Sequence, residues 1–152
     1  MNEFMQEAIL EAYQNSHNNF KDGGPFGAVI VKDNKIISKA HNTVLKDKDA
    51  TCHAEVNAIK EASKKLGTHD LEGCILYTNC YPCPMCLSAS IWANIKEIYY
   101  VATKEQVGKI GFRDDYIYDF FKGKNEPIKL NRIEDNNMDK LFEEFMQHRN
   151  LY

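Results

Sequence analysis

Residues 74–102 read CILYTNCYPCPMCLSASIWANIKEIYYVA. The opening run, Cys74–Thr78, is short, apolar and rich in strand-forming side chains, so it reads as a buried strand. Pro84 to Ala93 reads as a helix with a proline in its first turn, where the missing N–H is no loss. Glu97–Ala102 (Glu-Ile-Tyr-Tyr-Val-Ala) is a second strand. Strand, helix and strand in succession predict a parallel βαβ unit with a right-handed crossover.

Upstream, Phe4, Met5, Ala8, Ile9, Ala12 and Tyr13 form one apolar stripe at helical spacing within Asn2–Asn19. Asp22-Gly23-Gly24-Pro25 breaks the chain. The apolar runs Phe26–Val31 and Ile36–Ala40, joined around Asp33-Asn34, predict a β-hairpin. Asn42–Thr51 is polar and loop-like. His53–Leu66 predicts a helix with Ala58, Ile59, Ala62 and Leu66 on its buried stripe and Gly67 as its C-terminal cap. Beyond Ala102, a loop around Gly108–Gly111 precedes a short helix near Tyr116–Phe121. A fifth strand is expected near Ile128–Ile133 and a last helix over Met138–His148. The sum is a single α/β domain over residues 1–152, a mixed five-stranded sheet with helices on both faces.

The chain has 152 residues, 43% of them hydrophobic and 27% charged, which suits one domain with a core of its own. The net charge of −3 argues against a nucleic-acid partner, which usually requires a basic face. The sequence shows no secretion signal and no run of membrane-spanning length, so no membrane partner is expected. Cys80, Cys83 and Cys86 fall within seven residues of the five-cysteine chain. Without a secretion signal, such clustering reads as metal binding or catalysis rather than as disulfides, and the expected location is the cytoplasm.

Two motifs carry chemistry. His53-Ala54-Glu55 stands at one predicted helix start, and Pro82-Cys83-Pro84-Met85-Cys86 stands at another, with Cys83 30 residues after His53. Cys83 and Cys86 are three apart, so they share one face of a first helical turn, where the helix dipole favours thiolates. With the His53 imidazole they make three tetrahedral zinc (Zn2+) ligands, and the open fourth position distinguishes a catalytic site from a structural one. Glu55, two residues from His53, is placed to move protons without being a ligand. His-x-Glu followed by Pro-Cys-x-x-Cys is the pattern of zinc deaminases.

Each part alone has a plainer reading. Cys83-x-x-Cys86 by itself suits a redox pair. The cysteine triplet by itself suits an iron–sulfur cluster, but that spacing wants a cysteine and a proline where this chain has Ser90 and Ile91. A structural zinc would need a fourth ligand such as Cys74, which has no cysteine beside it. All three alternatives leave Glu55 idle. Cys52 and Cys74 read as small core residues, Cys80 is open between core and site, and Phe26 and Trp92 read as core by default. His17, His41, His69 and His148 read as ordinary histidines.

The chain resembles the cytidine deaminase-like superfamily, in its branch of guanine deaminases and tRNA adenosine deaminases. The residues that carry the resemblance are Gly23–Val31, Thr51–Val56, Cys80–Leu87 and Gly111–Tyr118. The resemblance implies a three-layer αβα sandwich and hydrolysis of a cyclic amidine C–N bond in purine metabolism, with guanine and water giving xanthine and ammonia. It implies substrate contacts from Asn42, Asp114, Phe26, Ala54 and the C-terminal Tyr152. It further implies a homodimer in which segment 137–152 acts as a lid or a swapped element over its own site or the partner's. Tyr81 departs from the pattern, which has Glu before the Pro-Cys pair. The readings left standing beside guanine are a tRNA adenosine deaminase, a deaminase of cytosine or another aminated ring, and a zinc-binding scaffold without catalysis.

Overall fold

A computed structural model of the chain describes residues 2–135, 137–148 and 151–152. In chain order the elements are α1 (Glu3–His17), β1 (Gly27–Lys32), β2 (Lys35–His41), α2 (Val44–Asp47), α3 (Ala54–Leu66), β3 (Ile75–Cys80), α4 (Pro84–Trp92), β4 (Glu97–Ala102), α5 (Lys104–Lys109), α6 (Asp114–Phe121) and α7 (Met138–His148). The sheet has the order β2-β1-β3-β4. β1 is antiparallel to both β2 and β3, and β3 and β4 are parallel, as the 74–102 stretch predicts. The hairpin turns at Asp33 and Asn34, both with positive φ, the backbone that matches the twist of paired strands.

β1 is buried on both faces, and its side chains alternate between two cores. Ala28 and Ile30 meet Ala54, Ala58 and Ala62 of α3, together with Leu71 and Leu76. Val29 and Val31 meet Met5 and Ala8 of α1, together with Tyr77. The result is the expected three-layer αβα arrangement. The small residues on α1 and α3 let both helices lie close to the sheet. At Gly27 a Cβ would collide with the Ala8 carbonyl and the Ala12 amide.

Three boundaries differ from the sequence reading. The sheet has four strands rather than five. Residues 128–133 join no ladder, and Ile128, Leu130 and Ile133 stay 63, 81 and 89% exposed. The apolar positions 128, 130 and 133 do not keep the two-residue period of a half-buried strand. The expected loop at 42–51 holds the short helix α2, and α5 runs into the start of the loop expected around Gly108–Gly111. α5 is capped at both of its first free donors: the Thr103 hydroxyl accepts from the Gln106 amide, and the Gln106 side chain accepts from the Thr103 amide. That Thr-x-x-Gln pattern was legible in the sequence. No described helix is long and apolar enough to cross a membrane.

Gly27→Ala is expected to cost about 1–3 kcal/mol, the usual range for overpacking, because α1 must shift off the sheet. Thermal unfolding of the zinc-loaded protein checks this; an unchanged midpoint would show that α1 is not seated on Gly27.

Candidate metal centre and substrate pocket

Two helix starts meet at one end of the sheet. His53 is the N-cap of α3, and Cys83 is the N-cap of α4, with its sulfur accepting from the Cys86 amide at 3.5 Å. Extended backbone at each cap turns the side chain out of its helix and toward the other. His53 Nδ1 lies 3.5 Å from both Cys83 Sγ and Cys86 Sγ. All three donors fall within 4.8 Å of one another, the group expected from the two motifs. Zinc bonds of about 2.0 Å to nitrogen and 2.3 Å to sulfur, at tetrahedral angles, put nitrogen and sulfur about 3.6 Å apart. The donor set therefore fits zinc in kind and in spacing.

Donors this close compete for protons. Contact with Cys86, and then with His53, draws the Cys83 thiol down to about 4. The same contact with Cys83, with burial, drives the Cys86 thiol far up. His53 is raised, chiefly by its bond with Cys83. A divalent cation ends the competition by stabilising both thiolates, so metal uptake displaces protons here.

Glu55, one residue into α3, is buried beside the donors. Its Oε1 accepts from the Thr78 hydroxyl at 2.8 Å, and its Oε2 receives the Cys86 thiol at 3.3 Å. Burial raises its pKa above the ordinary carboxylate value, which suits a group that must both take and give a proton near neutrality.

A pocket opens in front of these groups, lined by Phe26, Asn42, His53, Glu55, Cys80, Tyr81, Cys83, Phe112 and Asp114. The structure thus brings Asn42, Asp114 and Phe26 together, as expected. Asn42 is buried, and its side-chain oxygen accepts from the Val44 amide at 3.1 Å, so its NH2 group remains for a ligand. Asp114 opens α6, and its carboxyl is pushed up to about 6, first by burial and then by the Cys83 thiolate. Phe26 and Phe112 meet edge to face at 4.7 Å and form an apolar wall. Ala54 points elsewhere: its methyl belongs to the core over β1. Tyr152 does not reach the pocket of its own chain. Its ring stands 6.0 Å from both Trp92 and His69.

Phe112, Thr78, Tyr81 and Cys80, the last left open between core and site, are additions to the expected set. Burial keeps the Cys80 thiol protonated, raised to about 12. Tyr81 packs on Tyr100, and Lys104 stands 5.2 Å from its ring and 4.8 Å from that of Tyr118, whose hydroxyl donates to the Pro82 carbonyl at 3.0 Å. Tyr81 is therefore part of an aromatic brace between the start of α4 and α6. The alternation of β3, which sends Thr78 inward toward Glu55, was the available signal for Thr78. Phe112 lay within a quoted motif, but nothing in its spacing marked it.

The fold and the donor set together define a zinc-dependent deaminase centre. Residues 1–102 match the model of the cytidine and deoxycytidylate deaminase zinc-binding region, and the chain belongs to that family. Its zinc-binding region assigns zinc as the cofactor, in agreement with the geometry. Guanine deaminase of Bacillus subtilis is 53% identical over 96 residues, which span 63% of this chain and 62% of that protein. A crystal structure of guanine deaminase from Bacillus subtilis superposes with a TM-score of 0.90 over 100% of this chain and 98% of the other, at 38% identity. A tRNA-specific adenosine deaminase of Aquifex aeolicus is 48% identical over 70% of this chain and 69% of its own. NE0047, solved in complex with 2,6-diaminopurine, matches 72% of this chain and 60% of its own at 31% identity, with a TM-score of 0.65.

The purified protein is expected to carry one zinc per chain, and His53→Ala or Cys83→Ser to lose it. Elemental analysis checks this. Iron in place of zinc, or full zinc in both variants, would contradict the assigned ligands.

Proposed function

We propose that the chain removes the exocyclic amino group of free guanine by hydrolysis, giving xanthine and ammonia. The observation that carries this reading is the pairing of a free donor, the Asn42 NH2 group, with an acceptor, Asp114, across a pocket that ends at Glu55 and the metal ligands. Guanine presents a carbonyl and ring N–H groups on neighbouring edges, so it satisfies both. Adenine has no carbonyl and lacks the N1–H, and leaving Asp114 unpaired penalises it. The aromatic pair Phe26 and Phe112 walls the ring.

His53, Cys83 and Cys86 would hold the zinc, which when bound would supply a water acidified to a pKa of about 7. Glu55 takes one proton of the attacking water and delivers it to a ring nitrogen beside the carbon under attack; it then takes the second proton from the hydroxyl that this water leaves on that carbon, as the new carbonyl forms, and passes it to the amine, which departs as ammonia. Thr78 holds Glu55 at its other oxygen throughout. The burial that raises the Glu55 pKa makes its carboxylate a stronger base and keeps the carboxyl protonated until the ring nitrogen or the amine takes the proton.

A tRNA adenosine deaminase would need a cationic surface around the pocket. The groove that leads to it, about 540 Å3 in volume, is instead walled by Phe20, Val44, Leu45, Met85 and Ile117, with Arg113 at its edge. That wall, with a net charge of −3, favours a small free base. Side-by-side ammonia release from guanine, adenine and cytosine tests the reading, with Glu55→Gln as the control that retains zinc and loses about 10²–10⁴-fold in kcat. Another ring turned over with a kcat/KM ten or more times higher, a margin of about 1.4 kcal/mol, would remove guanine.

The reading includes a homodimer in which segment 137–152 of one copy closes the site of the other. Arg149 and Asn150 of this segment lie outside the described residues. Supporting this, the apolar groove is uncovered in the single chain, α7 buries none of its side chains, and Tyr152 lies away from its own pocket. The cytoplasm, a reducing compartment, suits five free cysteines of which two are ligands. Co-expression of a Glu55→Gln chain with a chain lacking residues 147–152 tests the exchange. A tail acting in the partner restores one working site per mixed dimer, whereas a tail acting in its own chain restores none. Light scattering at monomer mass would end the dimer.

A further inference from the structure

We propose that Asn15, on the last turn of α1 and outside the pocket, is a positioning residue for substrate recognition: its buried amide fixes the segment that aims Asn42. The inference rests on the role given to Asn42 above. Asn15 is fully buried. Its Nδ2 donates to the Gly24 carbonyl at 2.7 Å and to the Asn42 carbonyl at 2.8 Å, which uses both of its N–H bonds. Two carbonyl acceptors fix which end of the amide faces them. The amide oxygen has no protein partner, so these two donated bonds are what the group contributes.

The two carbonyls belong to the two chain segments that frame the pocket. Gly24 precedes β1 and Asn42 follows β2, and the Asn42 amide donates to the Phe26 carbonyl at 3.0 Å. Both neighbours are too tightly packed to tolerate drift. A Cβ on Gly23 would overlap the Asn42 side-chain oxygen, and one on Gly24 would come within 2.9 Å of the Phe112 ring. The backbone carbonyl of Asn15 also accepts from the Phe20 amide at 2.7 Å, and Phe20 lines the groove. One residue of α1 therefore ties together the donor, the aromatic wall and the groove, and touches no substrate itself.

An isosteric apolar replacement keeps the volume and deletes the bonds. In Asn15→Leu the Asn42 amide loses its fixed aim, and the KM for guanine rises roughly tenfold or more, the scale of one or two lost buried hydrogen bonds. Zinc content and kcat at saturation stay within about threefold, since Glu55 and the ligands sit on other elements. Asn15→Ser, which retains one donor, recovers part of the loss and serves if the leucine variant folds poorly. The decisive comparison is the cycle with Asn42→Ala. A residue that acts through Asn42 adds nothing to kcat/KM once Asn42 is gone, whereas a merely structural residue adds its full effect. An unchanged KM in both Asn15 variants, or additive losses in the cycle, overturns the proposal. If Asn42→Ala alone leaves guanine kinetics untouched, the substrate role of Asn42 fails, and the proposal fails with it.

Discussion

Two thiols each stand 3.5 Å from one imidazole at the meeting of two helix starts, and the two thiolates are stabilised together there only by a cation. The rest of the structure serves that meeting. The parallel pairing of β3 and β4 sends α4 back across the sheet, so that Cys83 caps a helix at the same end as His53. The small residues Ala54, Ala58 and Ala62 let α3 settle against Ala28 and Ile30 of β1, which sets the height of His53 and Glu55. A centre of this kind is exacting: a shift of either helix by an ångström would move a donor out of bonding range.

The same end of the fold is graded in polarity. Glu55 lies deepest, where burial holds its pKa up and Thr78 limits its motion. Asn42 and Asp114 stand at the sides, each with one hydrogen-bonding character left for a ligand. Phe26 and Phe112 close the wall, and the groove outside is apolar. A polar floor under an apolar entrance excludes water around the reacting atoms, and the fixed dipoles there act at low dielectric. The brace of Tyr81, Lys104 and Tyr118 occupies the position where the family pattern has an acid. It ties α6, and with it Asp114, to the start of α4 through rings and a cation rather than through a carboxylate.

The metal ligands, Glu55 and the βαβ unit were legible in the sequence because each depends on short-range spacing. The cap positions of His53 and Cys83 follow from residues one to three places away. Phe112 and Asn15 were not legible, for they matter through contacts across the fold. Asn15 continues the buried stripe of Met5, Ala8 and Ala12 on α1, so spacing predicts its burial, but the groups its amide meets are set only by the arrival of Gly24 and Asn42. The fifth strand failed for a different reason. Apolar side chains at 128, 130 and 133 break the two-residue period of a strand, so the stretch specifies no register, and it forms no ladder.

Three surfaces of the single chain remain unfinished, and they are related. β4 is an edge strand whose Tyr99, Tyr100 and Val101 are about half exposed. Ile128, Leu130 and Ile133 are exposed and join no ladder, and α7 holds Leu141, Phe142, Phe145 and Met146 at 43 to 60% exposure. Apolar area on this scale is costly to leave in water, at about 25 cal/mol per Å2. Exposed edges and unpaired apolar segments favour association with a matching surface. In the proposed dimer the segment beyond α6 is the matching surface, and the groove it covers leads to the metal. Closure of the active site and burial of the tail would then be one event, which explains why a chain with a complete set of ligands leaves its pocket open on its own.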